Sequence, residues 1–151
     1  MRSNRTKSRR WIIVADESAA EFYAQAKRYS PVKPAFVMRN DTARQKIDDL
    51  ISDGGGRSFD SFGAGRHTMA KEKTDPKAEA ARAFAKSIAA RIVSALYDGE
   101  IGQCGLIAAP RFLGSLRKAL AGSGGAEPCL TVSKELVGQD PAVIDRLLAE
   151  L

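Results

Sequence analysis

The sequence predicts a mixed α/β domain: three antiparallel strands, then crossover-linked strands with covering helices. Three observations predict it. Three short apolar runs precede Asn40, joined by connections too short for crossovers, which favours an antiparallel meander. Beyond residue 74, apolar runs of strand length alternate with stripes at helical spacing. Asp75-Pro76 and Asp140-Pro141 each pair a capping side chain with proline at the first helical position. The resulting order, β-β-β, helix, β, helix, β, helix, fits a ribonuclease H-like sheet better than a doubly wound one, which would alternate from its start.

Each element has a local reason. Trp11 to Ala15 is a compact run with β-branched residues and reads as a buried strand, ended by the turn chemistry of Asp16-Glu17-Ser18. Glu21 to Ala26 continues as a half-exposed second strand. Pro31 and Pro34 break the chain before a third strand, Ala35 to Met38. Ile47, Leu50 and Ile51 stand at helical spacing behind the caps Asp41 and Thr42, so a short helix is expected over 41–51. The longest helix starts at Asp75-Pro76, carries Ala81, Phe84, Ile88, Ile92, Ala95 and Leu96 on one stripe, and ends at Gly99. Lys77, Arg82, Lys86 and Arg91 lie mostly off that stripe. Cys104 to Ala109 has the continuous apolar character of a strand covered on both faces. Phe112, Leu113, Leu116 and Leu120 define the next helix, closed by Gly122. Cys129 to Val132 makes the last strand, and Val143, Ile144, Leu147, Leu148 and Leu151 form the final stripe.

Composition bounds the function classes. With 151 residues, 44% apolar and 28% charged, the chain suits one folded soluble domain. Two cysteines make neither a disulfide framework nor a four-ligand zinc site. No run is long enough for a membrane span, and Trp11 to Ala15 is too short for a signal peptide, which predicts a cytoplasmic location. The net charge of +6 owes most to Arg2, Arg5, Lys7, Arg9 and Arg10, with no acid among the first ten residues. Residues 1–10 therefore read as a flexible basic tail before a single domain, 11–151. The tail is either a solvated leader or an arm adding counterion-release affinity for nucleic acid.

Most catalytic constellations lack their parts. A two-metal nuclease needs converging carboxylates; Asp16 ends strand one, but Ala108-Ala109-Pro110 offers no acid and Glu79 simply complements a helix dipole. No metal and no cofactor are expected, and Asp16 is read as a turn residue. Cys104 and Cys129, on strands that could be neighbours, read as core residues. His67 is the single histidine, so no triad has a partner to spare. It sits in the segment 52–74, which has five glycines. There Gly63 and Gly65 let backbone N–H groups approach an anion, and Arg57 and Arg66 can grip phosphate. Phe59 and Phe62 lie between those arginines, a mixture suited to unpaired nucleotides. The competing reading is a surface loop whose phenylalanines fold back on the core.

Trp11-Ile12-Ile13-Val14-Ala15-Asp16, Ser52-Asp53-Gly54 through Arg57, and Gly63-x-Gly65-Arg66-His67 resemble the bacterial host attachment protein family. Asp75-Pro76 with Phe84-Ala85, and the more specific run Ala108 to Arg117, extend the resemblance over residues 11–151. The family is similar in turn to the middle domain of archaeal and eukaryotic peptide-chain release factors. There a glycine-rich loop in the same place carries a Gly-Gly-Gln tip into the ribosome. In this sequence no glutamine follows two glycines, and Gly65-Arg66-His67 is the positional counterpart.

The resemblance implies a cytoplasmic module that contacts ribosomal RNA or tRNA, any attachment phenotype being indirect. Arg57, Arg66, Lys71 and Lys73 would meet phosphates, and His67 and Phe62 a base. The alternative is a peptidyl-tRNA hydrolase in which His67 orients or deprotonates water. A surface adhesin, the literal sense of the family's name, runs against the missing secretion signal, membrane anchor and disulfides. Arg111 follows a strand end and begins a helix, where an anion is favoured, so it is expected in an anion site with Asp16 nearby. An Arg111–Asp16 ion pair is the structural alternative. Arg117, six residues on, is expected on a similar side.

Overall fold

The computed structural model describes residues 9–41 and 75–151. The helix expected over 41–51 and the glycine-rich segment 52–74 fall almost entirely outside the described residues, as does 1–8. The elements are β1 (Arg10–Ala15), β2 (Ala19–Gln25), β3 (Lys33–Arg39), α1 (Pro76–Tyr97), β4 (Gln103–Ala108), α2 (Pro110–Gly122), β5 (Leu130–Ser133) and α3 (Pro141–Ala149). The five strands form one sheet in the order β3-β2-β1-β4-β5. β1 pairs antiparallel with β2 and parallel with β4; β2 and β3 are antiparallel, β4 and β5 parallel. The mixed sheet expected from the connection lengths is therefore present.

The local chemistry explains the boundaries. Asp16 Oδ1 accepts from Ser18 N (2.8 Å), Ser18 Oγ (2.8 Å) and Ala19 N (2.9 Å). That closes the first turn within three residues, so β2 starts at Ala19 rather than Glu21. β3 runs two residues earlier than its apolar core, through Pro34, which an edge strand tolerates because, among the described residues, one side of its backbone faces no partner strand. Asp75 caps α1 by accepting from Lys77 N at 3.0 Å, and Asp140 caps α3 by accepting from Ala142 N at 2.9 Å. Gly99, just past the end of α1, takes φ 78°, a left-handed conformation open to glycine.

Alternation along the central strands divides the core in two. Trp11, Ile13, Phe22 and Leu106 face α1 and α2, meeting Phe84, Ile88, Ile92, Phe112, Leu116 and Leu120. Ile12, Val14, Tyr23 and Ile107 face α3 and meet Ile144 and Leu148. Leu151, expected on the α3 stripe, lies past the helix end and is exposed. Two residues of the expected basic tail belong to the folded part: Arg10 begins β1, and the Arg9 carbonyl accepts from Gly102 N at 2.9 Å. Among the described residues no helix is long and apolar enough to cross a membrane.

Candidate nucleic-acid interface

β1 and β4 end side by side, Ala15 opposite Ala108, and their carboxyl ends organise the candidate site. The Asp16–Ser18 turn leaves one end and Ala109 leads into α2 from the other. Asn40, at the end of β3, ties this region together. Its backbone N–H donates to Ser18 O (2.9 Å), and its side-chain amide to Glu17 O (3.0 Å) and Ala80 O (3.3 Å). The described chain breaks off at Asp41 and resumes at Asp75, so the segment with the glycine-arginine motifs connects here at both ends.

From this end a groove runs between α1 and α2. Its mouth, a cleft of about 410 Å³, is lined by Glu17, Asp75, Lys77, Arg82 and Arg111. It continues as a groove of about 780 Å³ bearing Arg82, Lys86, Arg111 and Lys118. Gly114, Ser115 and Ala119 also line it, side chains short enough to admit a ligand close to the helix backbone. Among the described residues the ion pair is Arg91–Glu100, so none of the four groove cations is held in one, and the acids Glu17 and Asp75 stand only at the mouth. Arg82 and Lys86 are four apart on one helix, an arrangement that costs the helix a few tenths of a kcal/mol, about 0.2–0.5. A like-charge row that opposes its own helix is poorly explained by stability.

Arg111 thus stands where the sequence reading puts it, at the strand ends and the start of α2. The expected Arg111–Asp16 pair does not form, and Asp16 is no part of Arg111's cleft. Three local donors to Oδ1 hold the Asp16 carboxylate in its own turn at no cost in chain closure, and the acids beside Arg111 are Glu17 and Asp75. Arg117 also departs from expectation. Six residues are about 120° short of two full turns at 3.6 residues per turn, so Arg117 lines a different cleft, with Glu127 and Thr131. Lys118, seven residues on, shares Arg111's side. Arg82, Lys86 and Lys118 are groove residues the sequence reading passed over; their spacing of four, and of seven from Arg111, was the available signal. Arg57, Phe62, Gly63, Gly65, Arg66, His67, Lys71 and Lys73 lie outside the described residues.

The two cysteines separate. Cys104 is buried, and burial, followed by the neighbouring Cys129, pushes its thiol up to about 12. Cys129 is exposed rather than a core residue, because β5 is a four-residue edge strand that starts one position later. Its N–H donates to Cys104 O at 2.7 Å. A thiol-specific chromogenic reagent at pH 8 should therefore release about one equivalent from the native chain and about two after denaturation. Rapid release of two from native protein would contradict this assignment. Among the described residues no group of three His, Cys, Asp or Glu side chains could hold a metal.

The family described as "Protein required for attachment to host cells" matches the chain over residues 11–148. No curated protein matches it.

Proposed function

We propose that the chain, which belongs to the family of proteins required for attachment to host cells, is a cytoplasmic module that binds structured RNA. The carrying observation is the α1–α2 groove, where four cations, none of them in an ion pair among the described residues, stand over small residues. The distance between phosphates along a nucleic-acid strand suits a row of cations better than a single pocket would, and the affinity arises from counterion release. From the sequence alone, Arg57, Arg66, Lys71 and Lys73 of the segment 52–74 would meet phosphates and Phe62 and His67 a splayed base, with glycine at 63 and 65 admitting close approach. Ribosomal RNA and tRNA are the RNA classes proposed, by likeness to release-factor middle domains. The strand order β3-β2-β1-β4-β5 supports a ribonuclease H-like assignment for the fold. Any attachment phenotype then follows indirectly, through regulation or translation.

The test is co-sedimentation with ribosomes, and filter binding of tRNA, across roughly 50–200 mM salt. A variant with Arg82, Lys86, Arg111 and Lys118 all changed to alanine should bind at least about tenfold more weakly. Its log–log salt slope should be shallower by roughly one for each phosphate that the variant no longer neutralises. Melting temperature should stay within about 2 °C, because exposed charges contribute little to stability. Unchanged affinity and slope would refute the groove. The pair Arg66→Ala and His67→Ala in the same assay tests the segment separately.

A further inference from the structure

At the opposite end of the sheet, where β1, β4 and β5 begin, lies a cavity of about 870 Å³. Arg9, Arg10, Lys27 and Arg28 line it, together with Leu130 and Leu148. No aspartate or glutamate side chain is among its lining residues. Among the described residues, none of the four cations forms an ion pair. Four positive groups around one concavity repel one another, and a chain needing only solubility would disperse them.

Here the fold fixes the Arg10 side chain and the turn that carries two of the others. Arg10 Nε donates to Gln25 Oε1 at 2.6 Å, directly across the β1–β2 pair, and Gln25 Nε2 donates to the Ser30 carbonyl at 2.7 Å. Gln25 is 1% exposed. A buried amide satisfied at both ends thus grips the guanidinium from behind, leaving Nη1 to reach Cys129 Sγ at 3.5 Å. The turn that supplies Lys27 and Arg28 is fixed as well. Ser30 N donates to Lys27 O at 3.0 Å, and Tyr29 adopts φ 73°, a left-handed conformation unfavourable for a tyrosine. The Arg28 guanidinium lies 5.0 Å from the centroid of the Tyr29 ring.

We propose that this cavity binds a small phosphate ester carrying two or more negative charges. The Arg10 fork grips a phosphoryl group, Arg9, Lys27 and Arg28 neutralise the remaining charge, and Leu130 and Leu148 receive the organic part. The volume falls within the range of small-molecule sites, and the apolar wall would be wasted on a polymer backbone that needs an extended track. The site stands apart from the α1–α2 groove and does not depend on the RNA reading.

Calorimetric titration of the full chain with ADP and with inorganic pyrophosphate tests it. Saturable one-site binding of ADP is expected, tighter than that of pyrophosphate. The double variant Lys27→Ala/Arg28→Ala, whose residues are exposed, should weaken it by about ten- to a hundredfold, as should Arg10→Lys, which keeps the charge but loses the fork. The alanine variant of the four groove cations should bind ADP within about twofold of the parent. Absence of saturation up to about 5 mM would overturn the proposal. So would binding that survives the cavity variants or is lost in the groove variant. Equal affinities for the two probes would overturn the ester and indicate an inorganic-anion site. Loss of tRNA binding in the cavity variants, without ADP binding by the parent, would instead assign these cations to RNA.

Discussion

Replacing Trp11 with alanine should cost about 3–5 kcal/mol of stability, the usual range for emptying a buried aromatic position. Trp11 is 4% exposed at the start of the central strand. Its indole stands edge-on to Phe22 (centroids 5.2 Å apart, planes at 84°) and to Phe36 (5.3 Å, 76°), while those two rings stack at 4.3 Å. Three strands, β1, β2 and β3, therefore meet through one aromatic cluster. Arg91 from α1 closes it over, its guanidinium 4.9 Å from the Trp11 ring centre and 5.2 Å from that of Phe36, with Nη1 on Glu100 at 3.3 Å. Removing the indole leaves a cavity that rigid neighbouring strands cannot collapse into, and strips the cation of its main aromatic face. For a domain with about 5–15 kcal/mol to lose, this is a large fraction. The melting temperature should fall by roughly 6–20 °C, at 2–4 °C per kcal/mol for a chain of this size. Circular dichroism gives the reading, since the chain's one tryptophan is the residue removed. A drop below about 2 °C would show that the cluster does not carry the packing assigned to it.

Much of this architecture is legible in the sequence because its signals are local. Asp75-Pro76 and Asp140-Pro141 combine a cap with a backbone constraint within two residues, and both helices start there. The meander is legible from connection length, since a three-residue link such as Asp16-Glu17-Ser18 leaves no room for a crossover. The stripe Ala81, Phe84, Ile88, Ile92 and Ala95 is buried as its spacing requires. What escapes is tertiary. The off-stripe positions Arg82 and Lys86 look like an ordinary solvated face until α2 packs alongside and turns that face into a groove wall. The Arg10–Gln25 hydrogen bond depends on cross-strand register, and nothing near either residue announces it. Arg111–Asp16 fails for the converse reason: a long-range ion pair competes with three local donors already within reach of the Asp16 oxygen, and the local bonds win. Arg117 is a matter of helical phase, where a count of nearly two turns conceals a rotation of about 120°.

The second large effect is expected at Gly105, where the requirement is space rather than backbone freedom. Gly105 lies in β4 opposite Ile12 of β1 and Leu130 of β5, on the face that α3 covers. A Cβ there would come 2.8 Å from Leu130 Cγ, 3.0 Å from Leu130 Cδ1 and 3.1 Å from Ile12 Cδ1. Ile12 is fully buried in the central strand and has nowhere to go. Leu130 sits on a four-residue edge strand and is the side that must give. Gly105→Ala should therefore cost about 1–3 kcal/mol, as overpacking usually does, and Gly105→Val more, since its γ carbons meet both neighbours. The damage should be directional. Amide hydrogen exchange should accelerate over Leu130–Ser133 and α3, which share that core, before it does over β1 and β2. Gly114→Ala is the contrast: it lies inside α2 with nothing within 4 Å of the added carbon, and alanine there should stabilise by about 0.5–1 kcal/mol. Urea midpoints for the three variants decide the matter. If Gly105→Val unfolds at the parent's midpoint, or its exchange rises evenly across the sheet, the close approach between β1, β4 and β5 is not what keeps a glycine at this position.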